Sequence, residues 1–312
     1  MYRVRVLDHF GIVDRGLRLY VAVGPYHPIN GFIAYLKYVP GSGPWRRSSV
    51  TFSRVLSVYS PYAVDEACRG VEKVYDPMLG VEVPIVKLDR VQRVVDPRDA
   101  ASRLLSTCRD ELECVASQLL ADLASLGLDP SCIGVTGSIM FGIHGRHSDI
   151  DLAIYGERCA EVATEVVPMV LQRVSDGRRR LILENLSAIH GVDPKLVDQF
   201  IDLRRGVYRS IEVTVVYTWG DPWDLRDPVR SSACFEGVVE VEPSLGALMY
   251  PARLEADVGG ERIEVVSYES TLALAMGRGG RFRVRGAMQL LASGAKRLVL
   301  GVRECETGVE PI

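Results

Sequence analysis

The stretch Val135-Thr136-Gly137-Ser138-Ile139-Met140-Phe141-Gly142-Ile143-His144-Gly145-Arg146-His147-Ser148-Asp149-Ile150-Asp151-Leu152 sets a glycine turn between two apolar runs and ends on paired carboxylates. Ile133-Gly134-Val135-Thr136 reads as a short strand, and a Gly-Ser turn after a strand leaves backbone amides free to face an anion. A second strand is expected over residues 149–155. Side chains alternate across a strand, so Asp149 and Asp151 share one face while Ile150, Leu152 and Ile154 take the other. Ala153 is the next neighbour on the carboxylate face and leaves room there. Two like charges so close together need a counter-charge. Hard divalent cations with oxygen ligands, Mg²⁺ above all, supply one. A pair of such ions can hold the attacking and leaving oxygens of an in-line phosphoryl displacement.

Working outward, Asp96-Pro97 is a helix start, a capping carboxylate followed by proline at the first helical position. Leu105, Cys108, Leu112, Val115, Leu119, Leu123 and Leu126 then recur at three- and four-residue steps, which predicts one long helix ended by Gly127. Helical patterns are expected over 157–174, 178–190 and 194–205, with Asp193-Pro194 repeating the cap-then-proline signal. Strand alternation returns over 207–218. There Ile211, Val213, Val215 and Tyr217 take the core face, and Glu212 points the other way with Thr214.

Thr136-Gly137-Ser138 followed by Asp149-Ile150-Asp151-Leu152 resembles the signature of the DNA polymerase β-like nucleotidyltransferase superfamily. That signature is a hydrophobic residue, Gly-Gly or Gly-Ser, a spacer, then Asp-x-Asp between apolar residues. The resemblance spans residues 96–218. More loosely, Tyr26-His27-Pro28 and Ile33-Ala34-Tyr35-Leu36-Lys37-Tyr38-Val39-Pro40 are similar to the N-terminal part of archaeal nucleotidyltransferase-domain proteins. The resemblance implies a small mixed sheet backed by helices, with a third carboxylate on a neighbouring antiparallel strand. Glu212 is in place for that role, although many relatives carry the shorter Asp. It further implies that Gly137, Ser138 and Ser148 hold a nucleoside triphosphate such as ATP. Asp149 and Asp151 would bridge two Mg²⁺ ions, and Glu212 would complete the catalytic metal site.

The flanks are β-rich. Residues 17–23 and 32–39 read as strands, with Pro40-Gly41-Ser42-Gly43-Pro44 a loop, and strands are expected again over 238–242, 262–266, 282–285 and 296–302. The expected fold class is therefore α+β. A central nucleotidyltransferase-like mixed sheet with helices (96–228) is flanked by a β-rich domain (1–95) and a small β-barrel-like domain (229–312). With 312 residues the chain is long enough for two or three domains and a large core. Its 47% hydrophobic and 25% charged residues exclude wholesale disorder, a coiled-coil rod or a collagen-like fibre. No apolar run is long enough for a membrane span, and Met1-Tyr2-Arg3-Val4-Arg5 lacks the apolar block of a signal peptide, so a cytoplasmic protein with no membrane partner is expected. The seven cysteines are odd in number, scattered and without a CxxC pair. They read as inert thiols in a reducing cell rather than a disulfide frame. Asn30 and Asn185 are the only asparagines, which fits a heat-adapted source.

The net charge of −3 gives no whole-protein attraction to nucleic acid, so any basic surface is local. Arg281, Arg283 and Arg285 fall on one strand face and could meet a nucleic-acid backbone, or could be a solvated face with acidic partners. Arg178-Arg179-Arg180 begins a helix and could reach the triphosphate or an RNA, but reads first as a solvated turn, as does Trp45-Arg46-Arg47. His144 and His147 read as loop histidines, since no cysteine or third histidine joins them to make a zinc site. Gly277-Arg278-Gly279-Gly280 is too short a likeness to a phosphate loop to carry one. The expected function is Mg²⁺-dependent transfer of a nucleoside monophosphate from an NTP to an acceptor hydroxyl, with pyrophosphate released. RNA is favoured slightly as acceptor. The alternatives are nucleotidylation of a protein, or a non-catalytic module that binds nucleotide or RNA.

Overall fold

The computed structural model describes residues 5–56 and 60–312, with residues 61 and 62 described by their backbone alone. The expectation for Met1-Tyr2-Arg3-Val4 lies outside the described residues. The described chain is α+β and builds three sheets in sequence order.

The first sheet contains β1 (Gly11–Asp14), β2 (Leu19–Ala22), β3 (Gly31–Arg47), β4 (Val50–Arg54), β5 (Lys73–Asp76), β6 (Val81–Lys87) and β7 (Val91–Val95), with helix α1 (Pro61–Ala67) between β4 and β5. Its order is β5-β6-β3-β2-β1-β7, and β4 pairs with β3. Residues 40–44 do not form the expected loop. They run inside β3 as an irregularity, where pairing to β4 jumps from Pro40 to Trp45 across Phe52. A chain with φ-restricted prolines at both ends of the segment stays extended here, and the skipped residues bulge.

The middle segment runs α2 (Pro97–Ser106), α3 (Glu111–Ser125), β8 (Ile133–Val135), α4 (Gly137–Phe141), β9 (Ile150–Tyr155), α5 (Glu157–Val170), α6 (Asp176–His190), α7 (Pro194–Asp198), α8 (Ile201–Arg204), β10 (Arg205–Tyr208) and β11 (Ile211–Thr218). Asp96 caps α2 by accepting from the Arg98 N–H, and Asp193 caps α7 by accepting from the Lys195 N–H, as the cap-then-proline signals require. The single long helix expected from residue 97 onward is instead two. Asp110 accepts from the Glu113 N–H and restarts the helix, while the Glu113 carboxylate accepts from the Arg109 N–H. These reciprocal bonds satisfy the free donors of a new N-terminus, and a stripe that counts only apolar residues does not register them.

The third segment holds β12 (Val229–Val241), β13 (Met249–Tyr250), β14 (Ala252–Val258), β15 (Glu261–Ser267), α9 (Ser270–Met276), β16 (Gly280–Leu291), β17 (Lys296–Leu300) and β18 (Gly308–Pro311). The order β12-β14-β15-β17-β16 closes through a β12–β16 pairing, which makes a five-stranded barrel with β18 added on β16. Only the β15–β17 pairing is parallel. The small strand β13 leaves this unit and pairs with β11, at Tyr217–Met249 and Thr218–Tyr250. One apolar core runs from the middle segment into the barrel, through Tyr217, Met249, Leu274 and Val284.

Six of the cysteines are paired, as Cys108–Cys114, Cys132–Cys159 and Cys234–Cys305, and Cys68 is a buried free thiol. This corrects the expectation of inert thiols. The partners lie 6, 27 and 71 residues apart, and folding rather than local spacing brings the last two pairs together. Among the described residues, no helix is long and apolar enough to cross a membrane.

Candidate functional site

The sheet around β9 has the order β10-β11-β9-β8. β11 lies beside β9, but it runs parallel to it, pairing Val213 with Ile150 and Thr214 with Asp151. The expected antiparallel neighbour is therefore corrected: the helices between the two strands carry the chain back to the same end of the sheet, as a crossover must. β10 returns antiparallel and sets Arg205 opposite Thr214. Residues in register across a sheet share a face, so Arg205, Thr214 and Asp151 form one row. One step before the Val213–Ile150 pair, the same register sets Glu212 beside Asp149.

The opposite face is core: Ile150, Leu152, Ile154, Val213, Val215 and Tyr217 are all at most 1% exposed. The carboxylate face is not a bare solvated surface either. Ala153, together with Val216, packs with Phe10, just before β1, and with Tyr20 and Ala34 of the first sheet. Beyond that contact the face opens into a cavity of about 750 Å³ that Asp151, Thr214 and Val216 line from the floor. Tyr35 and Lys37 of β3 form one wall, Tyr250 and Tyr268 of the third segment another, and α6 with α8 a third.

Gly137 has φ +64, and a Cβ built there would stand 2.0 Å from the Asp151 carboxylate oxygen. Glycine is required twice over, for the left-handed backbone and for the carboxylate's approach. The Thr136 N–H donates to the Asp151 carbonyl at 2.9 Å and ties the turn to the strand. Ser138 is buried at 4% exposure and does not line the cavity; Thr136 does. The Ser148 hydroxyl accepts from the Gly145 N–H at 3.0 Å and closes its own loop. His144 is held by Asp110 at 2.9 Å, a structural contact across to the start of α3.

Asp149 stands exposed at the entry to β9. Crowding by surrounding atoms, then the charge of Asp151, pushes its carboxyl above the ordinary range, while Lys37 and Arg54 pull it back. The two aspartates thus feel each other as the spacing predicts. Glu212 is turned to Arg178, whose Nη2 donates to it at 2.8 Å. Among the described residues, no group of three or more His, Cys, Asp or Glu is gathered as a metal cluster would be. Paired hard carboxylates beside a glycine turn fit a divalent cation. Glu212, in its bridge to Arg178, does not join them.

Sequence reasoning weighed Arg178 for the triphosphate but missed the other two cations. Arg178, Arg204 and Arg205 all line the cavity. Arg178 is the only one of the three with an ion pair, and among the described residues neither the Arg204 nor the Arg205 side chain has a hydrogen-bonded or ion-paired partner. Burial, then the neighbouring Arg205 charge, pulls the Arg204 guanidinium down to about 10. Arg205 is also lowered, by burial and then by Arg178, while the three acids pull the other way. Guanidinium groups facing a cavity beside carboxylates form a site where an anion and a cation can bind side by side. The Arg204-Arg205 doublet was visible in the sequence, but only the β10–β11 register shows that Arg205 faces Asp151.

No protein-family model, no curated protein and no solved structure matches this chain.

The remaining candidates fall away from the site. Arg285 is held by Glu306 and Glu310, and Arg281 stands opposite Glu240 in the barrel register. Arg283 stands opposite Val238 on β12 and Glu310 on β18. Arg179 is clamped by Asp198 and Asp202. Trp45 packs on Tyr38 at 5.2 Å, and Arg46 bonds the Ser48 carbonyl.

Proposed function

We propose that this protein transfers a nucleoside monophosphate from an Mg²⁺-bound nucleoside triphosphate to an acceptor hydroxyl. The observation that carries the reading is the row Arg205–Thr214–Asp151 on the floor of the cavity. It sets a cation for phosphate oxygens beside a carboxylate suited to a metal. Asp149 and Asp151 would hold the metal, which when bound offsets charge on the phosphate and on the attacking and leaving oxygens. Arg204 and Arg205 would bind the phosphate tail and orient it. Gly137 lets the Asp151 carboxylate lie against the turn. The cavity's volume of about 750 Å³ lies within the roughly 300–1,000 Å³ typical of small-ligand sites.

A second reading is nucleotide binding without transfer, with Glu212 engaged by Arg178 instead of by the aspartate pair as the observation in its favour. Support for an RNA acceptor is weak on the barrel. The β14–β15 face pairs its own charges, Arg253 with Glu264 and Arg262 with Glu255. That leaves little net positive field for a phosphate backbone. The test is incubation with α-labelled NTPs and Mg²⁺, comparing wild type with Asp149→Asn plus Asp151→Asn. Wild type is expected to release pyrophosphate or label an acceptor, and the double variant to lose this by at least a hundredfold. Equal rates would remove the carboxylates from the chemistry. Binding with no turnover in wild type would support the second reading.

A further inference from the structure

Asp8 is only 1% exposed, yet it carries a carboxylate. Both its oxygens are used: Oδ1 accepts from the Gly24 N–H at 2.8 Å, and Oδ2 meets His9 Nδ1 in a short contact. A carboxylate only accepts, so the proton of a neutral His9 ring sits on Nδ1 and the lone pair on Nε2. Among the described residues, Nε2 has no partner, and His9 lines the same cavity as Asp151, Arg204 and Arg205.

The backbone is bent to place this ring. His9 has φ +63, a left-handed conformation that costs energy for any residue with a Cβ. The strain is held from three directions. The His9 N–H donates to the Ala22 carbonyl at 3.0 Å, the Thr136 hydroxyl donates to the His9 carbonyl at 3.4 Å, and the Tyr155 hydroxyl donates to the Asp8 carbonyl at 2.9 Å. The Tyr250 ring stands edge-on to the imidazole at 6.5 Å. Thr136 touches His9 through its hydroxyl and Asp151 through its N–H, so the dyad and the carboxylate site share a neighbour. A buried acid, an oriented imidazole and a strained turn opening on one cavity are the parts of a general base.

We propose that His9, oriented by Asp8, takes the proton from the acceptor hydroxyl; this rests on the nucleotidyl-transfer reading above. The acceptor oxygen forms a bond to the α-phosphorus as the bond from that phosphorus to the pyrophosphate oxygen breaks. Pyrophosphate leaves with the electron pair. The acceptor's proton goes to His9 Nε2, and the Asp8 carboxylate balances the imidazolium. Asp8 touches no reacting atom and is a positioning residue.

The experiment uses water as the acceptor and the full chain. Pyrophosphate release is measured with Mg²⁺ and each of the four NTPs for wild type, His9→Asn, His9→Gly and Asp8→Asn, beside NTP binding by calorimetry. Asn tolerates the left-handed backbone, and Asn at position 8 keeps an oxygen for the Gly24 N–H. The expected result is NTP affinity within threefold of wild type, with turnover down about a hundredfold in both His9 variants. Added imidazole should restore His9→Gly at least tenfold. In [¹⁵N]histidine spectra, wild-type His9 should show the Nδ1–H tautomer, its Nε2 signal should move when Mg²⁺–NTP binds, and Asp8→Asn should change the tautomer balance. These spectra decide the case if hydrolysis by water is too slow to follow. Unchanged turnover in His9→Asn, or an Nε2–H tautomer in wild type, overturns the base. Wild type that neither binds nor turns over Mg²⁺–NTP overturns the nucleotidyl-transfer reading, and the base with it, in a distinguishable way.

Discussion

Asp151 lies against Gly137 so closely that any side chain at 137 must move it. A Cβ there would displace the carboxylate rather than the backbone, because the oxygen it meets ends a movable side chain. The folding cost of Gly137→Ala should therefore come mainly from the left-handed backbone, about 1–2 kcal/mol. The functional cost should be larger: Mg²⁺-dependent NTP affinity down at least tenfold. Urea denaturation and calorimetry on the same variant separate the two effects, and unchanged affinity would show that Asp151's position does not matter. The residue scale is also where the sequence was most legible. Asp149 and Asp151 announce themselves because a two-residue spacing on a strand fixes a shared face. Arg204, Arg205, Asp8 and His9 did not, since each becomes a cavity residue only through contacts with distant segments. Glu212 was placed correctly on the strand, but its bridge to Arg178 depends on where α6 lies, which alternation cannot say.

At the scale of elements, the two aspartates are aimed by β9 and its entry, Arg205 by the β10–β11 hairpin and Arg204 by the end of α8, and the disulfides staple what surrounds them. Cys132, just before β8, joins Cys159 in α5, and Cys234 in β12 joins Cys305 beyond β17. A cross-link over that many residues removes unfolded-chain entropy, typically worth about 2–4 kcal/mol. Denatured, unreduced protein should thus titrate one thiol, Cys68, against seven after reduction. Reduction should lower the unfolding free energy by about 2–4 kcal/mol for the Cys234–Cys305 link alone. Seven thiols before reduction would contradict the pairings. Periodicity located α5 and β11 because each buries one regular face, and β9 because its apolar residues alternate with the two aspartates at its start. It fused α2 and α3 because the break between them is made by capping hydrogen bonds, and it missed β14 and α9 altogether. α9 is buried along its whole length from Thr271 to Met276, so it has no polar face to mark its period.

The cavity belongs to the whole molecule: β3 of the first sheet, β9 and β11 of the second, and Tyr268 with α9 of the third segment all line it. Two buried phenols, Tyr250 and Tyr268, line it, and two more, Tyr20 and Tyr155, are buried in the sheets beside it. Burial, then the Asp14 charge, pushes Tyr20 up to about 12. Burial also pushes Tyr268 up to about 12 and holds Tyr155 and Tyr250 well above their ordinary value. A phenol whose folded value is raised stabilises the fold fully below the unfolded value near 10. That stability is lost as pH climbs from about 10 through the folded value, because the unfolded chain gives up its protons first. Arg204, lowered to about 10 by burial, works in the opposite sense and offsets about one such ring by pH 11. Unfolding free energy should fall slightly between pH 7 and 9, where the buried Cys68 thiol keeps its proton longer than the unfolded chain does, and then by about 1 kcal/mol per affected ring by pH 11. A fold equally stable at pH 8 and pH 11 would mean these rings are hydrated. The central claim is that Asp149 and Asp151 hold a divalent cation beside arginine-bound phosphates, and calorimetric titration with non-hydrolysable NTP analogues tests it most directly. The account predicts binding that requires Mg²⁺, is lost in Asp151→Asn and is weakened at least tenfold in Arg205→Ala. Equal affinity without Mg²⁺, or in Asp151→Asn, would contradict it.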